Sequence, residues 1–324
     1  MRAPVSLYVL LLAAAMACCA APDAPRPEGA ARPGPVGEEI VAPTHREQMH
    51  WVPVAGADGG TRLIQMRLCQ PPGTAGAAPL AVVNHGSPAR GSDRPGVRPA
   101  SCDSEAVGWF LRRGYAVALP LRRGYGASGG AWAEGFGSCD APDFVVAGLE
   151  TARDISAALA YARALPGVVR GDVGVLVVGQ SAGGWGAVAL ASRNPLEVAG
   201  FVNMSGGRGG RIGGMPGVNC RPDRLVAAAG RFGATARGAP MLWIYAANDS
   251  FFGPRLAAAM HEAFTGAGGV ARFEAMPAFG RDGHGLFLGR EGSVVWGPVL
   301  ARWLAERGLP AEGPAPVSAA AGAE

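Results

Sequence analysis

Ser181 is the side chain in this 324-residue chain whose setting most clearly suggests chemistry. It lies in the pattern Gly-x-Ser-x-Gly, written Gly179-Gln180-Ser181-Ala182-Gly183. A serine hydroxyl is a weak nucleophile until a neighbouring base takes its proton, and that base needs a third group that fixes its tautomer. A histidine and a carboxylate elsewhere in the chain would therefore have to meet this serine.

The residues around Ser181 predict the structural element that would expose it. Val173–Val178 is a short apolar run of strand length, and the small residues Ala187–Ala191 favour a following helix. Glycines two positions before and after the serine permit a sharp strand-to-helix turn that raises the hydroxyl above the sheet. Free N–H groups at the helix start would stabilise negative charge there. We therefore predict that Ser181 is a catalytic nucleophile.

His284 is the predicted general base. It follows the last predicted strand, Ala271–Met276, in a glycine-rich loop, and this chain order suits a base that meets Ser181. The other four histidines lie in or near a predicted tether, at an early turn or inside a predicted helix: His45, His50, His85 and His261.

Asp249 is the predicted third member of the triad. It follows the predicted strand Pro240–Tyr245 and should project from the same carboxyl edge of the sheet as Ser181. Asp282 is the alternative, but a residue two positions before His284 would have to fold back to reach the imidazole, so a turn-forming role is favoured. Asp223 is a weaker alternative.

Two backbone amides are needed to bind the oxygen of a tetrahedral intermediate. One should be the amide of Ala182, directly after the nucleophile, and the other should come from the turn His85-Gly86-Ser87. The sequence leaves open whether Gly86 or Ser87 is the donor. Four large side chains near the triad residues in sequence could line an acyl pocket or simply pack in the core: Trp185, Met204, Phe251 and Phe252.

Predicted strands alternate with predicted helices along the chain, which indicates an α/β fold. We expect a mostly parallel twisted sheet with helices on both faces and a minimal cap or none, residues 206–238 forming at most a small flap. The catalytic domain should span residues 46–310. Residues 22–45, rich in Pro, Ala, Gly and Glu, predict a flexible linker, and residues 311–324 predict a disordered tail.

Residues 1–21 predict a signal peptide, because Arg2 precedes the apolar run Val5–Ala17 and small residues follow. We therefore expect an exported protein, periplasmic or secreted. Membrane attachment is expected only if Cys18 or Cys19 is lipidated. The preceding Ala15-Met16-Ala17 matches a lipobox poorly, which favours soluble export.

Four cysteines remain after the predicted signal peptide, and an even number in an exported protein suggests disulfides. Cys102 and Cys139 both lie in polar loops after neighbouring strands, so we predict that they pair, with Cys69–Cys220 as the second bridge. The alternative is free buried thiols.

The composition and motifs exclude several other classes of function. The net charge of +4 is mild for a chain of this length. The sequence lacks a Lys/Arg cluster with interleaved aromatic residues, so we do not expect it to bind nucleic acid. The sequence has no metal-ligand spacing, P-loop or dinucleotide fingerprint. We expect no metal and no cofactor, and a small-molecule ester as the partner. The sequence leaves the oligomeric state open.

With these residues in hand, the chain resembles the α/β-hydrolase superfamily, and within it the secreted branch of the dienelactone-hydrolase-like family. The resemblance covers residues 50–308. It depends on five segments that occur in the expected order: Asn84-His85-Gly86, Arg123–Gly130, Gly179–Gly183, Asn248–Gly253 and Asp282-Gly283-His284.

The resemblance implies the α/β-hydrolase fold and a serine esterase with an acyl-enzyme intermediate. The founding dienelactone hydrolases use a cysteine nucleophile, so Ser181 favours broader carboxylic-ester hydrolysis, with lactones as possible substrates. The Arg-Gly-Tyr-Gly loop also resembles exported peptidases of the prolyl-oligopeptidase type, whose tyrosine-bearing oxyanion segment is not evident here. A peptidase is therefore the alternative, together with a non-catalytic binding protein on the same scaffold.

Overall fold

The structure is a computed structural model that describes residues 31–73, 77–169 and 174–313. The predicted signal peptide, Cys18 and Cys19 lie outside the described residues, as does most of the predicted tail.

One nine-stranded sheet forms the centre of the described part of the chain. Its strands, in chain order, are β1 (Gly34–Val41), β2 (Arg46–Ala55), β3 (Thr61–Gln70), β4 (Leu80–Asn84), β5 (Ala116–Pro120), β6 (Val175–Gln180), β7 (Val198–Met204), β8 (Met241–Ala246) and β9 (Ala271–Met276). The spatial order is β1-β2-β3-β5-β4-β6-β7-β8-β9. In this spatial order the first four strands, β1, β2, β3 and β5, pair antiparallel with their neighbours. The strands from β5 onward in the same order, which include β4, pair in parallel.

Six α-helices cover the two faces of this sheet within the described ranges. They are α1 (Glu105–Leu111), α2 (Phe144–Arg163), α3 (Ala182–Ala191), α4 (Pro222–Gly233), α5 (Pro254–Gly266) and α6 (Gly292–Ala305). Helices α1 and α6 pack into one hydrophobic core, and α2 to α5 pack into the other. The predicted α/β fold with helices on both faces is confirmed.

The central strands show why this sheet is buried on both sides. On β4, Val82 packs into the core under α2 to α5, whereas its neighbour Val83 packs into the opposite core. On β6, Val177 likewise packs into the core under α2 to α5 and Val178 into the opposite core. Because successive side chains on a strand point to opposite faces, a parallel strand covered on both sides reads as a continuous apolar run.

The prediction that residues 22–45 form a flexible linker is wrong for part of that range. Gly34–Val41 forms β1, which pairs antiparallel with β2, and Gln48 Nε2 donates to Val36 O at 2.9 Å. Most side chains of β1 are exposed. The strand is therefore held by backbone hydrogen bonds and leaves no pattern of buried apolar residues in the sequence.

The predicted disulfide pairing is also wrong. The four cysteines pair as Cys69–Cys102, with Cα atoms 5.7 Å apart, and Cys139–Cys220, with Cα atoms 5.2 Å apart. Cys69 and Cys102 share the core under α1 and α6, whereas Cys220 belongs to the core on the opposite face. The sequence indicated that the loops with Cys102 and Cys139 follow neighbouring strands. It did not indicate on which face of the sheet each cysteine lies, and that decides which cysteines can pair.

Two disulfides are consistent with an exported protein, because such bonds persist mainly in oxidising compartments. Within the described ranges, none of the helices has the length and apolar character needed to cross a bilayer.

Candidate active site

Ser181 occupies the sharp turn between β6 and α3. Its backbone has φ 55° and ψ −118°, which a residue with a Cβ rarely adopts, so the turn is strained. The serine is held from both sides, because its N–H donates to Met204 O at 3.0 Å and its carbonyl accepts from Gly207 N at 3.2 Å. A Cβ at Gly179 would overlap the carbonyl of Gly183, so this turn requires glycine. The predicted strand, turn and helix are confirmed.

Asp249 and His284 lie together at the carboxyl edge of the sheet. The imidazole Nδ1 is 3.1 Å from Asp249 Oδ1 and 3.2 Å from Oδ2. The carboxylate is buried, and its Oδ1 also accepts from the amides of Phe251 at 2.8 Å and Phe252 at 2.9 Å. A carboxylate fixed in this way holds the proton of His284 on Nδ1 and leaves Nε2 as the basic nitrogen.

The loop that carries His284 is attached to the strand that carries the serine. Gln180, the residue before Ser181, donates from Nε2 to His284 O at 3.2 Å. Phe251 stacks on the imidazole with ring centroids 4.0 Å apart. No hydrogen bond joins Ser181 Oγ to His284 within the described residues, as is common where catalytic contacts tighten only on substrate binding.

The two alternative carboxylates have other partners. Asp282 accepts from the Ser250 and His284 amides at 3.0 and 3.1 Å and from Ser250 Oγ at 2.5 Å, as expected of a turn former. These hydrogen bonds hold the pKa of Asp282 below its ordinary value against the opposing effect of partial burial. Asp223 forms an exposed ion pair with Arg221 at 2.6 Å.

The turn His85-Gly86-Ser87 lies directly against the serine. A Cβ at Gly86 would overlap the side-chain oxygen of Gln180 and lie 3.0 Å from Ser181 Cβ, so a larger residue would fit only if Gln180 moved. The His85 ring interacts through Nδ1 with Gly86 O at 2.7 Å, and its Nε2 accepts from Arg122 N at 3.3 Å. Burial and the nearby Arg122 charge lower the pKa of His85 to about 3.

The tautomer of His85 helps to choose between the two candidate oxyanion donors. Since Nε2 accepts from a backbone amide, Nδ1 carries the proton and donates to Gly86 O. Gly86 O and the Ser87 N–H belong to the same trans peptide unit, in which the carbonyl and the N–H point in opposite directions. Because Gly86 O points toward the His85 ring, the Ser87 N–H points away from it. Ser87 lines the cavity above Ser181, and the geometry therefore favours Ser87 over Gly86.

A cavity of about 760 Å³ opens above Ser181 and Ala182. Phe251 and Phe252 line it as expected, but Trp185 and Met204 do not. Trp185 is fully buried in the core and donates from Nε1 to Phe144 O at 2.8 Å. Met204 packs into the opposite core. For these two residues the core-packing alternative is correct, because closeness in sequence to the turn does not decide which way a side chain points.

The charged residues in the cavity wall were missed by the sequence reasoning. Four arginines line it, and no aspartate or glutamate is among the described lining residues; the four are Arg90, Arg94, Arg208 and Arg211. The Arg94 guanidinium lies 3.9 Å from the ring centroid of Trp132. Arg211 pairs with Asp282 at 3.3 Å. Arg208 and Arg211 lie in a glycine-rich loop, and Arg90 and Arg94 lie at the start of and within a short 3-10 helix, Gly91–Gly96. Neither segment has a periodic pattern that predicts which arginines face a cavity.

A single cluster among the described residues has the side chains and spacing of a metal site: His45, Glu47 and Cys102. The Cys102 sulfur is bonded to Cys69, so it is not available as a thiolate ligand.

The sequence was compared with models of known protein families and with curated proteins. Residues 58–211 match the family model described as X-Pro dipeptidyl-peptidase (S15 family). A search of curated protein sequences finds no significant match.

Several solved structures have a similar fold. The Pyrococcus furiosus esterase Pf2001 is 16% identical with a TM-score of 0.52, over 80% of this chain and 92% of that one. Est1E from Butyrivibrio proteoclasticus is 14% identical with a TM-score of 0.51, over 80% of this chain and 98% of that one. An acylaminoacyl peptidase in complex with Z-Gly-Gly-Phe-chloromethyl ketone is 11% identical with a TM-score of 0.56, over 84% of this chain and 43% of that one.

The sheet order, the serine turn and these likenesses together define the class of fold: the chain has the α/β-hydrolase fold. At these identities the likeness to the solved structures is one of fold.

Proposed function

We propose that this protein is a serine hydrolase that cleaves carboxylic esters through Ser181, His284 and Asp249. The observation that carries the proposal is the 3.1 Å pairing of His284 Nδ1 with Asp249. The His284 loop is hydrogen-bonded to Gln180, the residue before a serine held in a strained turn. In this arrangement the carboxylate fixes the imidazole tautomer and stabilises its charged form.

The proposed reaction has two acyl-transfer steps. Ser181 Oγ forms a bond to the ester carbonyl carbon while His284 Nε2 takes the hydroxyl proton. The amides of Ala182 and Ser87 hold the oxyanion. The ester C–O bond then breaks, and the alcohol leaves with the proton from His284. Water repeats the sequence on the acyl-enzyme and releases the acid.

A peptidase is the second candidate, supported by the match to the X-Pro dipeptidyl-peptidase model. Release of a dipeptide from a free N-terminus requires the site to accept an ammonium group. Three of the four arginines in the cavity wall pair with carboxylates that lie outside it, and Arg94 makes no ion pair among the described residues. No carboxylate is among the described lining residues to bind an ammonium group, which disfavours a cationic substrate. An ester, or a peptide with a blocked N-terminus, suits this wall better.

We also propose that the protein is exported after removal of residues 1–21. The two disulfides support export. Intact-mass analysis of the mature protein tests this proposal. Cleavage near Ala20 or Ala21 is expected, and a diacylglyceryl group on Cys18 or Cys19 would show a lipoprotein instead.

Substrate profiling of the purified mature protein tests the proposed reaction. The panel consists of p-nitrophenyl acetate, butyrate and octanoate, N-acetyl-alanine p-nitroanilide, and Gly-Pro p-nitroanilide with a free N-terminus. Ester turnover that the Ser181→Ala variant loses is expected. Preferential cleavage of the anilides would favour the peptidase, and no turnover of any compound would favour a binding protein on this scaffold.

A further inference from the structure

A buried ionic cluster lies behind the turn that carries Ser87. Its centre is Glu134, which is completely buried in the segment between β5 and α2. The carboxylate contacts the guanidinium of Arg122 and accepts from Arg208 Nη2 at 2.5 Å. The two arginine charges hold the pKa of Glu134 well below its ordinary range despite burial. Glu134 is therefore ionised and can only accept hydrogen bonds.

The ionised Glu134 fixes the direction of every hydrogen bond around the Tyr125 hydroxyl. Tyr125 has one proton, and it donates that proton to Glu134 Oε2 at 3.0 Å. The phenolic oxygen must then accept from Ser87 Oγ, 2.5 Å away, and from Trp132 Nε1, 3.1 Å away. The Ser87 hydroxyl donates to Tyr125 and accepts from Arg208 Nη1 at 3.2 Å.

These hydrogen bonds join three separate loops at one side chain. Ser87 comes from the loop after β4, Tyr125 and Glu134 from the loop after β5, and Arg208 from the loop after β7. Arg208 is anchored further by Thr151 Oγ1 of α2 at 2.9 Å. The side chain of Ser87, a residue that lines the cavity, is thus held on both sides.

Stability alone is a weak reason for such a cluster. Removing two arginines and a glutamate from water carries a desolvation cost that their attraction often only offsets. Tyr125 and Glu134 are completely buried and are not among the residues that line the cavity. They therefore do not touch substrate, and they act on the reaction through the lining residues that they hold: Ser87, Arg208 and Trp132.

We propose that Tyr125 and Glu134 are positioning residues that hold the Ser87 amide in place for the oxyanion. This inference rests on the proposed function. An amide that is slightly displaced binds the planar ester almost as well, but it stabilises the tetrahedral intermediate less. Loss of the cluster should therefore lower kcat and leave KM nearly unchanged.

Tyr125→Phe is the first test, because it removes one hydroxyl and keeps the ring. We expect kcat to fall at least tenfold and by less than the roughly 1000-fold limit for losing an oxyanion donor. We expect KM to change less than twofold. Tyr161→Phe is the matched control, since the Tyr161 hydroxyl bonds to His50 at 3.1 Å and is not part of the cavity wall. This control should keep wild-type kinetics.

Inhibitor binding separates positioning from a general structural defect. A trifluoromethyl ketone forms a tetrahedral adduct with the serine, whereas the product acid binds without one. Tyr125→Phe should weaken the ketone by the same factor as kcat/KM and leave the product acid unchanged. Equal weakening of both inhibitors, or weakening of neither, would overturn the inference.

Ser87→Ala provides a second variant, which keeps the backbone amide and loses only the anchoring hydroxyl. It should reproduce the kinetic effect of Tyr125→Phe, and the double variant should show no further loss. If Tyr125→Phe does not fold, Ser87→Ala decides by the same criteria. Ser181→Ala is measured in parallel: if it stays active, the proposed function fails, whereas its inactivity beside a fully active Tyr125→Phe overturns only the positioning role.

Discussion

His284 Nδ1 lies 3.1 Å from Asp249 Oδ1, although the two residues are 35 positions apart in the sequence. They follow β8 and β9, which are neighbouring parallel strands whose carboxyl ends meet at one edge of the sheet. Two backbone amides hold Asp249 Oδ1, so the carboxylate is oriented before the imidazole binds it. The pair is therefore preorganised to keep the basic nitrogen of His284 available.

Asp249→Asn should lower kcat about 10⁴-fold, because an amide in place of the carboxylate permits the wrong imidazole tautomer. Ester hydrolysis under saturating substrate measures this change. Asp223→Asn is the matched control, since Asp223 makes only an exposed ion pair with Arg221, and it should keep full activity. An Asp249→Asn variant within tenfold of wild type would instead point to Asp282 as the acid.

His85 should remain neutral between pH 5 and 8, because burial and the charge of Arg122 lower its pKa to about 3. The unfolded chain binds a proton at this residue below about pH 6.5, whereas the folded chain does not. Stability should therefore fall as the pH falls from 6.5, with this residue contributing up to about 1.4 kcal/mol per pH unit.

Proton NMR of the five histidines tests this expectation, with urea unfolding at each pH as the second measurement. The His85 ring resonance should show no titration between pH 5 and 8. A midpoint near 6.5 for that resonance would contradict the argument and would also remove the basis for choosing Ser87 as the oxyanion donor.

The sequence predicted the regular core of the fold closely. The predicted strand Ala271–Met276 agrees with β9, and the predicted strand Pro240–Tyr245 agrees with β8 to within one residue, because turn residues bound each of them. The serine turn was predictable because its glycines and flanking elements are local in the chain. The meeting of Asp249 and His284 followed from the rule that parallel strands end at one edge.

Strand β1, the disulfide partners and the buried charged residues could not be predicted from the sequence. Each depends on the face of the sheet on which a segment lies or on the direction of a side chain, and no local sequence pattern indicates either. Strand β1 exposes most of its side chains, so it shows no periodicity. The disulfide partners depend on the face of the sheet that each loop crosses. Glu134 and Arg208 lie in irregular loops, where a single charged residue looks the same whether it is buried or solvated.

Arg94 should favour substrates that carry a negative charge. Its guanidinium stacks on Trp132 at the cavity wall and makes no ion pair among the described residues. A charge-assisted hydrogen bond to a carboxylate should raise kcat/KM roughly tenfold over a neutral ester of the same length. The p-nitrophenyl monoester of succinate compared with p-nitrophenyl butyrate measures this preference.

Arg94→Gln should abolish that preference, and added salt should weaken it in the wild type. Arg193→Gln is the control, since Arg193 is exposed and lies beyond the far end of α3 from Ser181. A preference that survives Arg94→Gln unchanged would assign the effect to another arginine, and the absence of any preference would contradict the prediction.

The disulfides should be Cys69–Cys102 and Cys139–Cys220, as non-reducing peptide mapping can determine. Removing either bridge with a Cys→Ser pair should lower the free energy of unfolding on the order of 2–5 kcal/mol. The second bridge should also affect substrate binding, because Cys220 N donates to the carbonyl of Gly209, which lines the cavity. Detection of Cys102–Cys139 would contradict the fold.

Covalent labelling with a fluorophosphonate tests the central claim most directly. Intact-mass and peptide analysis of the mature protein should show one adduct, on Ser181, that appears in parallel with the loss of ester hydrolysis. The Ser181→Ala variant should take up no label. Full inactivation with the adduct on another residue, or hydrolysis that continues in fully labelled protein, would contradict the account.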